Sequence, residues 1–301
     1  MKFFGIIDTD LVIFMQQRII NLNGQTFPRK RFYGNQINNQ KYNILTFIPK
    51  VLLNQFKQFF NLFFLAICLS QFFSILRVGF LITYLFPLIF VLSITYIKEG
   101  YDDYKRYKRD KELNYSLYQK LNPDQTFKTV FSKDIKVGNI IKVSAGQRIP
   151  ADMILLHTTE KSGSVFLKTD QLDGETDWKL RKAVAFTQKL KDPTIMSSLQ
   201  SSVTIESPQK DIYKFAGTFQ AINELEEIKE PLNLENTLWA STLLTTGSSL
   251  GLVIYTGKDT RIEMNAKAPR NKLGRIDHEI DYMSFALFIF MVCVAFLLQS
   301  F

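Results

Sequence analysis

Three stretches of the chain are apolar over about the length of a membrane span. They are Phe59–Leu76, Phe80–Ile97 and Phe285–Phe301, and each is nearly free of charged residues. A helix rises about 1.5 Å per residue, so about 18 residues cover roughly 27 Å, close to the thickness of a bilayer core. The pattern therefore predicts three transmembrane helices.

The first two apolar stretches are separated only by Arg77, Val78 and Gly79, which predicts a tight helical hairpin with both ends on one side. Basic residues are frequent on both flanks of this hairpin, whereas Arg77 stands alone in the turn. By the positive-inside rule, the long segments are expected in the cytosol and residues 77–79 in the lumen. The flanking basic residues are Arg29, Lys30, Arg31, Lys41, Lys50 and Lys57 before the hairpin, and Lys98, Lys105, Arg106, Lys108, Arg109 and Lys111 after it.

The chain between the second and third apolar stretches, about 185 residues, is long enough for a domain with its own core. It begins with Tyr101, Tyr104 and Tyr107 at helical spacing, and Asp102 precedes Arg106 by about one turn. This predicts that the second span continues outward as a stalk helix, which we place at residues 98–126.

Beyond the stalk, short β-rich runs bounded by turn residues replace the helical pattern. Two stretches are interpreted as loops: the Ser-rich one at 191–210 and the acidic one at 223–230. The predicted strands are 127–131, 139–144, 153–156, 165–169, 213–219, 241–247 and 251–257.

The predicted fold class is a membrane protein with an α-helical transmembrane hairpin, a mainly β cytosolic domain and a third transmembrane helix. The expected organisation is an N-terminal cytosolic segment at 1–57, helices 1 and 2 at 58–97, the stalk at 98–126, the β domain at 127–281 and helix 3 at 282–301.

Composition adds little to this picture. The 46% hydrophobic content would also suit a soluble protein, but its concentration into spans excludes that interpretation. The net charge of +9 comes from basic residues mixed with acids and without a base-stacking motif, so we expect no nucleic-acid partner and ascribe this charge to the segments next to the membrane.

Cys68 and Cys293 lie within predicted spans as packing residues, and His157 and His278 are isolated, so no metal site is predicted. Asp8 and Asp10 interrupt the N-terminal apolar run, which argues against a signal peptide.

The candidate chemistry lies in the sequence TDQLDGETDWKL, residues 169–180. Asp173-Gly174 alone is a common turn signal. Its context is more specific, because DIKVGNIIKVSAGQRIPADMILL (134–156), LENTLWAST (234–242) and GLVIYTGKDTRIEMN (251–265) surround it in the order found in P-type ATPase actuator domains. With DGET in place of the TGES of cation pumps, the chain resembles the type IV family, the phospholipid flippases, from about Arg18 onward. The sequences of these motifs are most similar to those of the endosomal and Golgi branch, which works without an accessory subunit.

That resemblance implies a distorted jelly-roll actuator domain and a pump cycle with an aspartyl phosphate. Glu175 is then expected to orient and partly deprotonate the water that attacks phosphorus. Gly174 would let the loop approach the phosphate without a Cβ clash, Thr176 would offer a hydroxyl, and Asp173 would fix the loop by accepting backbone N–H bonds. The complete protein is expected to use ATP and magnesium and to move aminophospholipids to the cytosolic leaflet of endosomal or Golgi membranes.

No DKTG phosphorylation motif occurs in these residues, and the expected phosphorylation and nucleotide-binding domains would lie beyond Phe301. This chain alone is therefore expected neither to bind the cofactors nor to hydrolyse ATP. One alternative stays open: a fragment or truncated copy that is catalytically inactive, membrane-anchored and uses its β domain for interactions. A cation pump is disfavoured by DGET and by spans without a Cys-x-x-Cys motif or an acidic ion site.

Ser70 and Gln71 are polar residues within the otherwise apolar first span. An unpaired amide is costly in hydrocarbon, so both need polar partners. One alternative is a neighbouring helix. The other is a lipid headgroup, because this end of the first span resembles the place where flippase substrates enter from the lumenal leaflet.

Overall fold

The computed structural model describes residues 17–22, 26–27, 32–75, 77, 79–223, 226–266 and 274–299. The helices are α1 Ile44–Gln55, α2 Phe59–Ser70, α3 Leu81–Asn114, α4 Ala185–Gln188, α5 Arg261–Asn265 and α6 Arg275–Gln299. The strands are β1 Arg18–Asn21, β2 Thr26–Phe27, β3 Leu117–Leu121, β4 Phe127–Phe131, β5 Ile140–Ser144, β6 Asp152–Thr158, β7 Ser164–Lys168, β8 Trp178–Lys182, β9 Ser201–Ile205, β10 Gly217–Asn223, β11 Glu226–Leu232, β12 Thr237–Leu238, β13 Leu243–Leu244 and β14 Ser248–Tyr255.

The chain forms two compact units. Met1–Ile37 and Lys111–Lys267 make a mainly β unit, and Asn38–Asp110 and Ala268–Phe301 make a helical unit. The helical parts and the β domain predicted from the pattern are therefore both present.

In the helical unit, α3 and α6 are long and apolar enough to cross a membrane. The successive helices α1 and α2 are bent by 96° at their junction and together provide up to one further span. The helix that contains the third span begins earlier than predicted, because α6 starts at Arg275, within the segment assigned to the β domain, while its candidate span is His278–Leu298. These apolar helices indicate an integral membrane protein.

The prediction of one continuous first span over Phe59–Leu76 is wrong in length, because α2 ends at Ser70. The Ser70 hydroxyl donates to the carbonyl of Ile67 at 2.7 Å, and turns follow at Gln71 and the next residues. A side-chain hydroxyl that bonds to its own helix competes with the backbone ladder, which explains why an apolar run does not continue as helix here.

Aromatic rings hold α2 against α6. The ring centres of Phe59 and Phe285 are 5.2 Å apart, and those of Phe63 and Phe288 are 5.6 Å apart. Asp281 of α6 accepts a hydrogen bond from the backbone N–H of Phe60 at 3.0 Å, which satisfies a donor in the first turn of α2. The first and third predicted spans are thus neighbours.

The stalk helix ends earlier than the pattern predicts. α3 stops at Asn114 rather than reaching residue 126, and β3 occupies part of the remaining segment. The Asn114 side chain accepts from the N–H of Ile37 and donates to its carbonyl, both at 2.8 Å. Pairing of β3 with β4 and β5 then favours strand over helix.

The β unit contains three antiparallel sheets. Their strand orders are β11-β10-β9-β1-β2, β12-β6-β14-β5-β3-β4 and β13-β7-β8. One core cluster joins Ile154 and Leu156 of β6 to Phe219 of the five-stranded sheet. The other joins Met153 and Leu155 of β6 to residues of β7 and β13. The central strands β6 and β14 of the six-stranded sheet are therefore covered on both faces, which explains their long apolar runs, whereas β4 at the edge is mostly exposed.

Both segments predicted to be loops contain strands. β9 lies within 191–210 and pairs with β1 and β10, and most of β11 lies within 223–230 and pairs with β10. In β9, the residues Ser201, Val203 and Ile205 are buried and alternate with partly exposed ones, so serine content concealed a strand pattern. β11 is an edge strand, where charged residues are common.

Two predicted strands are also displaced. β10 starts at Gly217 rather than at residue 213, because the ring of Phe215 packs against that of Trp239, with 5.8 Å between the ring centres. The strand then continues to Asn223. In the predicted strand 241–247, only Leu243–Leu244 is in β13, since Ser241 and Gly247 adopt positive φ angles.

Candidate catalytic loop

The loop at residues 169–177 is carried by a two-stranded hairpin. β7 and β8 pair from Ser164 opposite Lys182 to Lys168 opposite Trp178. β13 pairs with the other edge of β7, and the rings of Phe166 and Trp178 lie 5.9 Å apart near the end of the hairpin. This frame fixes both ends of the loop.

Thr169 anchors the start of the loop. It is buried, and its carbonyl accepts from the N–H groups of Leu172 and Asp173 at 2.8 and 3.2 Å. Its hydroxyl donates to Oδ2 of Asp173 at 2.9 Å. The Asp173 carboxylate is therefore held in place by a buried residue.

The second oxygen of that carboxylate orders the next residues. Oδ1 of Asp173 accepts from the backbone N–H of Glu175 at 2.9 Å, which closes a short turn over Gly174. Gly174 has a φ of +78°, and a Cβ placed there would meet nothing within 4 Å. Glycine is thus favoured by its backbone conformation, not by crowding within this chain.

Glu175 and Thr176 are exposed at the tip of the loop, and the Glu175 side chain forms an ion pair with Lys179 of β8. The hydrogen bond and the charge of Glu175 raise the pKa of Lys179. An exposed carboxylate whose main chain is fixed can bind and orient a water molecule presented by another surface. In this loop the Asp173 carboxylate is tied to the backbone and to Thr169, whereas the Glu175 carboxylate is exposed.

Lys179 and Arg181 are charged neighbours of the loop that the motif analysis did not single out. Arg181 is 9% exposed, burial lowers its pKa, and the charges of Glu235 and Asp173 partly oppose this shift. Within the described part of the chain, its Nε has no hydrogen-bond partner. Their alternate positions in WKLRK are the signal that could have indicated one basic strand face.

Ser70 and Gln71 lie far from the loop in sequence and belong to the other unit. Gln71 is 6% exposed, and its Nε2 donates to Oγ of Ser70 at 3.1 Å. Ser70 in turn bonds to its own helix. The two residues thus partner each other at the end of α2, and the proposed contact with a lipid headgroup stays a prediction.

Among the described residues, no group of three or more His, Cys, Asp or Glu side chains is arranged to hold a metal ion. Of the loop acids, Asp173 accepts from the Glu175 N–H and the Thr169 hydroxyl, and Glu175 pairs with Lys179.

A layered β unit with an exposed acidic loop, joined to apolar helices, defines the actuator-bearing part of a P-type ATPase. Residues 117–268, about half of the chain, match the P-type ATPase actuator domain, and residues 18–85 match the N-terminal domain of phospholipid-translocating ATPases. The chain belongs to the phospholipid-transporting P-type ATPase family.

Named relatives agree with this assignment. The chain is similar to "Probable phospholipid-transporting ATPase IIB" of Homo sapiens, with 49% identity over 88% of this chain and 23% of the relative. It is 46% identical to "Probable phospholipid-transporting ATPase tat-5" of Caenorhabditis elegans over 88% of this chain and 25% of the relative. Identity to "Phospholipid-transporting ATPase NEO1" of Saccharomyces cerevisiae is 43% over 91% of this chain and 23% of the relative. The chain thus spans about a quarter of the length of the curated relatives it matches.

Proposed function

We propose that these residues are the N-terminal part of an ATP-driven pump that moves aminophospholipids to the cytosolic leaflet. The β unit acts as its actuator domain in the cytosol, on an endosomal or Golgi membrane. Phosphorylation and nucleotide-binding domains outside residues 1–301 use ATP and magnesium to form the aspartyl phosphate. Support comes from family membership and from relatives that are named as phospholipid-transporting ATPases.

The observation that carries the proposed chemistry is the exposed Glu175 carboxylate on a loop locked by Asp173. In the dephosphorylation step, a water oxygen attacks phosphorus and the bond between phosphorus and the aspartyl oxygen breaks. The aspartate and inorganic phosphate are released, and Glu175 accepts the proton from the attacking water. Gly174 lets the loop backbone approach the phosphate, and the Thr176 hydroxyl donates to a phosphate oxygen.

The first test concerns the reading frame. Sequencing the transcript past the codon for Phe301 should reveal a continuing frame that encodes a fourth span and a DKTG motif. A stop codon directly after Phe301 would instead favour the alternative, a membrane-anchored interaction module without ATPase activity.

The second test is Glu175→Gln in the complete protein. The amide keeps the size and one acceptor oxygen of the carboxylate but cannot accept the proton, so the phosphoenzyme should accumulate. We expect dephosphorylation to slow by about 100- to 10,000-fold, the usual contribution of general acid–base assistance. The measurement is a chase of radiolabelled phosphoenzyme after ATP is removed.

Asp177→Asn is the matched control, because Asp177 is an exposed acid of the same loop. It should change the dephosphorylation rate by less than about threefold, the size expected from a change in surface charge. An unchanged rate in Glu175→Gln, or an equal loss in both variants, would contradict the role of Glu175.

A further inference from the structure

Glu175 is held at two points, and the second of them lies on β8. The first is its backbone N–H, which donates to Asp173 at 2.9 Å. The second is its carboxylate, which pairs with the ammonium group of Lys179. Because Lys179 lies opposite Leu167 in the β7–β8 ladder, its backbone is set by the hairpin and not by the loop.

The position of Lys179 follows from strand alternation. Along β8, Trp178, Leu180 and Lys182 are exposed, whereas Lys179 is partly buried and Arg181 is buried. Residues two apart in a strand share a face, so Lys179 and Arg181 lie on the same side of β8. The charge of Asp173 acts on both basic side chains. This face of β8 therefore supplies positive charge to the loop.

The loop contains four acids, at positions 170, 173, 175 and 177, and Lys179 pairs with one of them, Glu175. A general base must be within reach of the proton that it takes, so its side chain has to point in a defined direction. The Glu175 carboxylate is exposed, and its ion pair with Lys179 limits the directions in which it can point.

We propose that Lys179 is a positioning residue for dephosphorylation, which keeps the Glu175 carboxylate oriented before it meets the phosphate. This inference rests on the proposed function of Glu175. Lys179 acts through Glu175 and is not itself required to touch the reacting atoms.

The test compares Lys179→Met, Lys179→Arg and Lys182→Met in the complete protein, with the rate of phosphoenzyme decay measured for each variant. Lys182 is the matched control, because it lies on the exposed side of the same strand and pairs with Glu235 at 2.9 Å. We expect Lys179→Met to slow dephosphorylation by roughly threefold, the size of the loss of one partly exposed ion pair.

Lys179→Arg should restore the rate, since it keeps the charge that pairs with Glu175, and Lys182→Met should leave the rate unchanged. Adding Lys179→Met to Glu175→Gln should slow decay no further than Glu175→Gln alone, because the lysine then has no carboxylate to position. Three results would overturn the inference: an unchanged rate in Lys179→Met, the same loss in Lys182→Met, or additive losses in the double variant.

The outcome for Glu175→Gln distinguishes failure of the proposed function from failure of the role of Lys179. If the phosphoenzyme of that variant decays at the normal rate, the proposed function of the loop fails. If its decay slows as expected while Lys179→Met decays at the wild-type rate, the role of Lys179 alone is refuted. A melting curve for each variant, followed by tryptophan fluorescence, checks that the β unit remains folded.

Discussion

Replacing Arg261 by methionine should strongly destabilise the β unit. Arg261 is fully buried, and its Nη1 donates to the carbonyl of Gln209 at 2.8 Å. Its Nη2 forms an ion pair with Oε1 of Glu206 at 3.0 Å. The guanidinium carbon also lies 4.8 Å from the ring centre of Trp239 and 5.5 Å from that of Tyr255.

The expected loss follows from these contacts. Methionine refills much of the volume but leaves the Gln209 carbonyl without this donor, and, among the described residues, Glu206 then keeps only the Gln209 side chain as a donor to Oε1. Hydrogen bonds to charged groups contribute about 1.5–3 kcal/mol each, and removing one partner of a buried ion pair costs about 3–5 kcal/mol. The Glu206 side chain keeps 28% exposure, so water solvates it in part. We therefore expect the free energy of unfolding to fall by about 3 kcal/mol, near the lower end of that range.

The chain offers a specific reporter for this measurement. Its two tryptophans, Trp178 and Trp239, both lie in the β unit, and Trp239 is 1% exposed. In a Trp178→Phe background, urea unfolding of the detergent-solubilised chain can be followed by the fluorescence of Trp239 alone. Lys229→Met is the control, because its ion pair with Glu227 is more than half exposed on both sides, and it should change stability by less than about 0.5 kcal/mol. A loss below about 1 kcal/mol for Arg261→Met would refute the assigned role of this buried network.

The remaining predictions concern Asp152 and Gln71. Burial raises the pKa of Asp152 from its usual value of 3.8 to about 7. Between these two pH values the folded state holds a proton that the unfolded state has released, so the contribution of Asp152 to the free energy of unfolding is lost as the pH rises towards 7. Asp152→Asn should therefore flatten the decline in unfolding free energy between about pH 4 and 7, measured by the same fluorescence assay, and an unchanged slope would contradict the assignment. Gln71→Ala in the complete protein should change which phospholipid headgroup stimulates ATP hydrolysis, with expression nearly unchanged. Equal losses for aminophospholipids and phosphatidylcholine, together with a lower melting temperature, would mean that Gln71 only stabilises the helices.

Features with a local cause could be predicted from the sequence. The apolar character of α3 and α6 is a property of consecutive residues, so it predicted two of the spans directly. The strands β6 and β14 were predictable because both of their faces are buried, which gives them long apolar runs. The Asp173-Gly174 turn could also be predicted from the sequence, because it depends only on neighbouring residues: Gly174 has a positive φ, and Asp173 accepts a hydrogen bond from the N–H of Glu175.

Only the tertiary structure decided which charged and polar residues are buried, and where helices end. Arg261 would be placed on the surface by its type, yet its acidic partner Glu206 lies 55 residues earlier in the chain. β9 and β11 are strands because β10 pairs with both, although their serine and acidic residues favoured loops. The burial of Arg181 likewise depends on how β8 packs in its sheet. In each case the deciding partner is brought close by strand pairing or packing, and a local pattern of residue types contains no information about such a partner.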